Sequence, residues 1–187
     1  LGLGSTFTIE AMANLSAYDS TKVEMIASQW ITASPQRSWF LGVASDGKLR
    51  LQVSSDGTAS TTFDSGLTFS LSTDYYVAAV FSSGTATFYM QNLTLGTAMQ
   101  SVVITPGGAP TSAYNSTGNY QIGNYDASNT HANAWGGLID EVRLSDTDLT
   151  SAQLMIPEPG SAMMVIGAAA AFLFLRRRSR HRDSSLA

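Results

Sequence analysis

Short runs of alternating apolar and polar residues, separated by turn-forming dipeptides, constrain this sequence more than any other feature. Residues 7–13 alternate with a period of two, which is the pattern of a β-strand with one buried face. Asp46-Gly47 separates two further candidate strands, and the glycine of such a dipeptide supplies the positive φ of a tight hairpin turn. Asp56-Gly57 repeats this signal, so three consecutive strands are predicted to pair as a meander.

The same pattern continues to residue 145 and predicts an all-β fold. In the run 85–91, Ala86, Phe88 and Met90 share one face, as expected for a strand over a core. The predicted strands are residues 7–13, 25–30, 39–45, 48–54, 58–64, 67–71, 75–81, 85–91, 101–105, 120–123 and 135–145, with one helical candidate at 147–154. Many short strands with no helix between them favour an antiparallel sandwich.

The last part of the chain has a different composition. Pro157, Glu158 and Pro159 precede an uncharged run, of which residues 162–175 are almost entirely apolar. As a helix this run would rise about 21 Å, short of the ~30 Å hydrocarbon core of a bilayer. A basic cluster follows, consisting of Arg176, Arg177, Arg178, Arg180 and Arg182.

The basic cluster indicates how the apolar run is used. Positive side chains beside such a run are typical of a cytoplasmic membrane flank, and long arginine side chains can reach the headgroups from a short span. We therefore predict one short transmembrane helix at residues 162–175 and a basic tail at 176–182. The alternative, a core helix with a solvated tail, is disfavoured because the run has no polar face.

Charge and cysteine content exclude several classes of protein. Residues 1–155 contain five basic and twelve acidic side chains, a net charge of −7. This acidity disfavours nucleic-acid partners. The chain has no cysteine, so a sheet core or metal ions must stabilise the fold without disulfides. The sequence opens inside a strand-like pattern without an initiator methionine, so we expect it to be N-terminally truncated.

A Pro-Glu-Pro tripeptide, a short apolar helix and an arginine cluster, in that order, resemble the PEP-CTERM sorting signal of Gram-negative bacteria. Pro157, Glu158 and Pro159 match its motif residue by residue. The resemblance implies that residues 156–187 are recognised by an exosortase, a membrane transpeptidase that acts near the tripeptide. It also implies transient residence in the inner membrane, followed by delivery to the cell surface or extracellular matrix.

Residues 1–155 resemble the laminin G-like jelly rolls within the concanavalin A-like lectin/glucanase folds. The resemblance depends on the segments 7–11, 28–30, 76–78, 86–89, 121–123 and 137–144, of which the last is the most specific. One departure is Met12, where the family usually has tryptophan. The resemblance implies an antiparallel jelly-roll sandwich of concanavalin A-like type, followed by the C-terminal transmembrane helix.

Catalysis is the sharpest hypothesis for such a fold, and the sequence argues against it. Glycosidases need two carboxyl groups facing each other across a groove, and glucanases of this fold carry them in a Glu-x-Asp-x-x-Glu arrangement that does not occur here. Asp140 and Glu141 are adjacent, so on a regular strand they would point to opposite faces. We therefore predict that the protein is not an enzyme.

Two kinds of binding site remain. Some laminin G-like relatives bind Ca²⁺ through aspartates and loop carbonyls, and Asp140, with Asp126 second, is the candidate ligand. The alternative is that Asp140 braces the backbone after Gly136-Gly137. For carbohydrate, Tyr125 and Trp135 flank a polar loop and are the candidate aromatic platform, whereas Trp30 is expected in the core.

The sequence thus predicts an exported, non-catalytic protein of the cell surface or extracellular matrix that binds polysaccharide or mediates adhesion. A glycan-active enzyme of the same fold and a purely structural spacer are the alternatives. The expected partners are an exosortase, the inner membrane for a time, and extracellular polysaccharide, but no nucleic acid.

Overall fold

The computed structural model describes residues 3–19, 21–32, 35–125 and 133–155, in which ten strands form two five-stranded sheets. The strands are β1 (Thr6–Leu15), β2 (Glu24–Ile31), β3 (Gln36–Val43), β4 (Lys48–Val53), β5 (Thr61–Thr68), β6 (Asp74–Ser82), β7 (Thr85–Asn92), β8 (Gln100–Ile104), β9 (Gln121–Ile122) and β10 (Gly137–Ser145). The first sheet has the order β10-β1-β6-β7-β8 and the second β5-β4-β3-β2-β9. Every pairing in both sheets is antiparallel, which confirms the predicted all-β sandwich.

The core lies between the two sheets and follows the alternation of the strands. Phe7 and Ile9 of β1 are fully buried, and Trp39 of β3 packs against them from the opposite sheet. The Phe7 ring lies 6.2 Å from the Trp39 ring and stacks on Phe81 at 4.9 Å. Aromatic pairs at these distances add stability beyond the area that they bury.

The hairpins form where the dipeptides predicted them. Gly47 and Gly57 have φ values of +79° and +82°, and β3, β4 and β5 pair in succession as the predicted meander. The segments 58–64 and 67–71, predicted as two strands, instead form the single strand β5. The strand begins only at Thr61, because the Asp56 carboxylate accepts the amides of Thr58 and Ala59 at 2.7 and 2.8 Å and keeps residues 58 and 59 in a turn.

The prediction of a helix at residues 147–154 is wrong. The chain there forms only a three-residue 3-10 turn, Ser151–Gln153, because the backbone on its N-terminal side is bonded to β1 instead of to itself. Within the described residues, no helix is long and apolar enough to span a membrane. The transmembrane helix predicted at 162–175 lies outside those residues.

Candidate functional site

The segment after β10 lies across one half of the outer face of the first sheet. Thr8 points away from the core, yet it is fully buried. Its hydroxyl donates to the Thr147 carbonyl at 2.7 Å and accepts the Leu149 amide at 3.0 Å. We call residues 146–155 the strap. It shields the half of this face that is formed by the beginning of β1.

The last residue of the strap, Met155, is bonded to Glu10. The Glu10 side chain is fully buried on the outer face, and its carboxylate pairs with Arg143. The same carboxylate accepts the Tyr76 hydroxyl and the Met155 amide, both at 2.6 Å. Arg143 donates in turn to the Gln153 carbonyl at 2.8 Å. A buried carboxylate is tolerated here because a cation and two further donors satisfy it.

The Tyr76 phenol is part of this cluster. Burial, and then the hydrogen bond to the Glu10 carboxylate, raise the pKa of Tyr76 well above its ordinary value. Ionisation would place a second negative charge beside Glu10 in a buried site. The phenol therefore acts as a hydrogen-bond donor that holds the strap.

The other half of the same face is uncovered and forms an open depression of about 350 Å³. It begins where the strap ends, since Met12 follows Glu10 on the outer face of β1. The depression is lined by Met12, Ala13, Asn14, Asp74, Leu93, Leu138 and Asp140. Leu138, on its rim, is 73% exposed. A concave surface with a few polar groups and an exposed aliphatic side chain is the usual form of a small-ligand site.

The polar groups of the depression are held by their neighbours. The Asn14 amide donates to Asp74 Oδ1 at 2.7 Å, and Asp140 Oδ1 accepts the Glu141 amide at 2.9 Å. The second oxygen of each carboxylate, Oδ2, has no donor among the described residues. These two oxygens are therefore fixed acceptors that are available to a ligand.

A bulge in β10 places Asp140 in the depression. The register with β1 shifts between Met12 and Glu10, and Glu141 takes a φ of +50°. As a result Ile139 and Val142 both pack on the core, and Asp140 and Glu141 between them are both exposed. The expectation that adjacent Asp140 and Glu141 would alternate between faces is therefore wrong.

The start of β10 approaches β1 so closely that only glycine fits. A Cβ atom on Gly137 would lie 2.0 Å from the Asn14 carbonyl oxygen. This close contact brings the next residue, Leu138, to the rim beside Asn14. On the other side, the Leu93 amide donates to the Asp74 carbonyl at 2.8 Å, which fixes that wall.

The two predicted aromatic residues pack against different clusters. Tyr125 packs on the outer face of the second sheet against a small cluster of Met25, Trp30 and Phe40, in which Trp30 is buried outside the main core. Trp135 packs against the main core instead. The described structure therefore does not join them into one platform, and a ligand role for either residue stays a prediction.

Trp135 has contacts that suit a structural residue. Its indole N–H donates to the carbonyls of Asn14 and Leu138 at 3.1 and 3.2 Å, and its ring meets Phe69 edge-on at 5.9 Å. It thereby supports the backbone behind the depression from the core side. The indole contributes to the site by positioning Asn14 and Leu138.

Calcium binding stays a prediction. No group of three or more acidic or histidine side chains that could hold a metal occurs in the part of the chain that the structure describes. Asp140 offers one carboxylate oxygen beyond the one that braces Glu141, whereas Ca²⁺ takes about six to eight oxygens. Asp126 lies outside the described residues, as do Pro157, Glu158, Pro159 and the arginine cluster.

Sequence reasoning found Asp140 but missed Asn14, Asp74 and Leu138. The alternation of β1 does place Asn14 on the outer face, on the same side as Thr8 and Glu10. Its neighbours Asp74 and Leu138 come from β6 and β10, and their position depends on the strand order, which the local pattern does not carry.

Comparisons with solved structures give the same architecture. The carbohydrate-binding module CBM40 of a Ruminococcus gnavus IT-sialidase superposes with a TM-score of 0.62 at 14% identity, with 82% of each chain covered. Its complex with α2,3-sialyllactose gives a TM-score of 0.59 at 15% identity, over 82% of this chain and 80% of the module.

Two further structures share the fold. The LG1-3 region of the laminin α2 chain gives a TM-score of 0.55 at 10% identity, with coverage of 84% of this chain and 29% of that one. The enzymatically active domain of bacteriophage CBA120 tailspike protein 2 gives a TM-score of 0.50 at 16% identity, with coverage of 80% of this chain and 23% of that one. At these identities the likeness shows the fold alone.

Comparison with family models covers both parts of the chain. A search of curated protein sequences found no significant match. The model of the concanavalin A-like lectin/glucanases superfamily matches residues 1–155, and the model of the PEP-CTERM protein-sorting motif matches residues 156–178. Both resemblances that the sequence suggested are thus confirmed, and the chain belongs to the concanavalin A-like lectin/glucanases superfamily and carries a PEP-CTERM sorting motif.

Proposed function

We propose that this protein is exported through an exosortase-type system and binds carbohydrate, without catalysis, at the cell surface or in the extracellular matrix. The observation that carries the binding function is the depression beside the strap. Its acceptor oxygens on Asp74 and Asp140 suit sugar hydroxyls, and hydrogen bonds to a charged acceptor are stronger than neutral ones. Leu138 offers an aliphatic surface for the C–H groups of a sugar ring.

The position of the sorting motif supports export. The match begins at residue 156, directly after Met155, whose amide is bonded to Glu10 at 2.6 Å. The proposed binding domain and the sorting motif are therefore adjacent in sequence. In this proposal the protein resides in the inner membrane until an exosortase acts near Pro157, Glu158 and Pro159.

The geometry of the depression supports binding over hydrolysis. Asp74 lies on β6 and Asp140 on β10, and both strands pair with β1, on opposite sides of it. The glucanases of this fold carry both carboxyl groups in one Glu-x-Asp-x-x-Glu segment, whereas these two carboxylates lie on separate strands. The tailspike structure that contains this fold is described as enzymatically active, so hydrolysis is tested directly.

A glycan array with residues 1–187 in mild detergent tests the binding function. We expect retention of at least one class of oligosaccharide, and loss of it in Asn14→Leu and Asp140→Ala. Asp64→Asn, on the outer face of the second sheet, is the matched control and should bind like the wild type. Tyr125→Ala tests the alternative site, and each array is run with Ca²⁺ and with EDTA.

The outcomes separate the candidate functions. Binding that Asn14→Leu abolishes and Tyr125→Ala spares supports the depression. Absence of binding on every array, with or without Ca²⁺, refutes glycan recognition and leaves the structural spacer. Shortened oligosaccharides after incubation with the wild type would show an enzyme instead.

Sorting is tested separately, in a Gram-negative host with an exosortase. We expect that replacing both Pro157 and Pro159 with alanine leaves the protein unprocessed in the inner membrane, because the tripeptide is the matched motif. Replacing Pro106 and Pro110, which are also prolines but lie in the domain, is the control. Unchanged processing of the tripeptide variant would contradict the sorting assignment.

A further inference from the structure

We infer that the ligand of the depression is a neutral glycan, and that sialic acids, uronic acids and sulfated sugars are excluded. This inference rests on the glycan-binding function proposed above. The inference rests on the contacts of the basic side chains, since the strongest hydrogen bonds to an anionic sugar come from a lysine or arginine that is free to pair with it.

All five lysine and arginine side chains of residues 1–155 lie in the described part of the chain, and all five are already engaged. Four of them form ion pairs with carboxylates, namely Lys22 with Asp19, Lys48 with Asp46, Arg50 with Asp64 and Arg143 with Glu10. An anionic ligand at any of these positions would have to displace a carboxylate of the protein itself.

The fifth, Arg37, is engaged differently and lies far from the depression. Its guanidinium sits 5.7 Å above the Trp30 ring and donates to the Thr58 carbonyl at 2.6 Å. Both contacts belong to the second sheet, whereas the depression lies on the outer face of the first. Arg37 therefore adds no positive charge to the site.

Arg143 is the basic residue nearest to the depression along β10, three positions after Asp140. It is held by the Glu10 carboxylate and donates to the Gln153 carbonyl at 2.8 Å. Recruiting it would open the cluster that fastens the strap. Glu10 and the strap thus keep Arg143 away from a ligand of the depression.

The charges that do face the depression are both negative. Asp74 and Asp140 present carboxylates, and the described lining residues offer no cation to balance them. Two carboxylates at about 6 Å in water weaken the binding of a monoanion by about tenfold at low salt. The same carboxylates accept hydrogen bonds from the hydroxyls of a neutral sugar.

This conclusion separates the chain from a structural relative of the same fold. The CBM40 module has been solved with α2,3-sialyllactose, an anionic glycan. The shared sandwich does not show whether a charged or a neutral glycan is preferred, because that preference depends on the side chains of the site. The two chains share only 15% of their residues. On this chain the side chains favour the uncharged member of such a pair.

Equilibrium binding to matched glycan pairs tests the inference, with residues 1–187 in mild detergent, once in EDTA and once with added Ca²⁺. Each pair differs in one anionic group: lactose against α2,3-sialyllactose, and neutral plant or bacterial oligosaccharides against their uronic acid counterparts. We expect the neutral member to bind at least tenfold more tightly in any pair that binds. The preference should shrink at high salt.

Two variants make the electrostatic cause explicit. In Asp74→Asn and Asp140→Asn the amide oxygen can still accept the hydrogen bond from Asn14 or Glu141, so we expect the fold to be preserved. The double variant should reduce the preference for the neutral glycan to less than about threefold. Asp64→Asn removes one negative charge from the other sheet and should leave the preference unchanged.

The outcomes are distinguishable. Equal or tighter binding of the anionic member, with or without added Ca²⁺, overturns the inference but leaves glycan binding intact. A preference that the double variant does not change also overturns it, because the two carboxylates would then not be its cause. Failure of both members of every pair refutes the proposed function itself.

Discussion

Replacing Glu10 with alanine is expected to release the strap and destabilise the sandwich. The change removes a fully buried carboxylate and leaves Arg143 without its counterion, and the Tyr76 hydroxyl and Met155 amide without their acceptor. Loss of one partner of a buried ion pair costs about 3–5 kcal/mol. The Arg143 side chain is 36% exposed and can regain water, so we expect the lower end, about 3 kcal/mol.

Urea denaturation followed by tryptophan fluorescence measures this loss. The matched control is Asp64→Ala, which removes the carboxylate partner of Arg50 in an ion pair whose members are 25% and 50% exposed. Such a surface pair contributes at most about 1 kcal/mol. Glu10→Gln should fall between the two, because its amide oxygen still accepts hydrogen bonds but carries no charge.

Hydrogen exchange shows where the loss occurs. In Glu10→Ala the amides of the strap, above all Leu149 and Met155, should lose most of their protection, whereas core amides of β3 should lose only the protection that corresponds to the fall in global stability. If Glu10→Ala costs no more than Asp64→Ala, or if strap protection is unchanged, the buried cluster does not hold the strap and this reasoning is refuted.

Three further predictions concern the backbone and the pH dependence. Glu141→Gly should stabilise the fold by about 1 kcal/mol, because residue 141 has a φ of +50° that glycine adopts without strain; a loss of stability in the urea midpoint would contradict the bulge. Gly137→Ala should cost about 1–3 kcal/mol, since its Cβ would lie 2.0 Å from the Asn14 oxygen; an unchanged midpoint would contradict that close approach. Because the pKa of Tyr76 is raised in the folded state, its contribution to stability is complete below the unfolded value near 10 and declines as pH rises above it. Tyr76→Phe should therefore flatten the alkaline limb of the stability profile, and a limb of unchanged slope would refute this.

The sequence predicted most of the fold because its alternation and its turn dipeptides are local signals. Residues 85–91 alternate as expected over the core, and Gly47 takes the positive φ that its position after Asp46 implied. The helix predicted after β10 failed for a non-local reason. Thr8 is 139 residues away from Thr147 and captures its carbonyl, which no pattern within the strap reveals.

The candidate site was predicted only in part, and for the same physical reason. Asp140 was found through its place in the most specific segment of the family. Its exposure depends on the bulge at Glu141, and a single residue with positive φ that is not glycine leaves no trace in composition. Asn14 and Asp74 are 60 residues apart, and only the pairing of β1 with β6 places their side chains in contact.

The central claim is that the depression beside the strap is where this exported domain holds carbohydrate. The most direct measurement is hydrogen exchange of residues 1–187 with and without the oligosaccharide that they bind most tightly. We predict protection of residues 12–14, 74 and 138–140, with the glycan recovered intact. Protection confined to Tyr125 and its neighbours, or cleavage of the glycan, would contradict it.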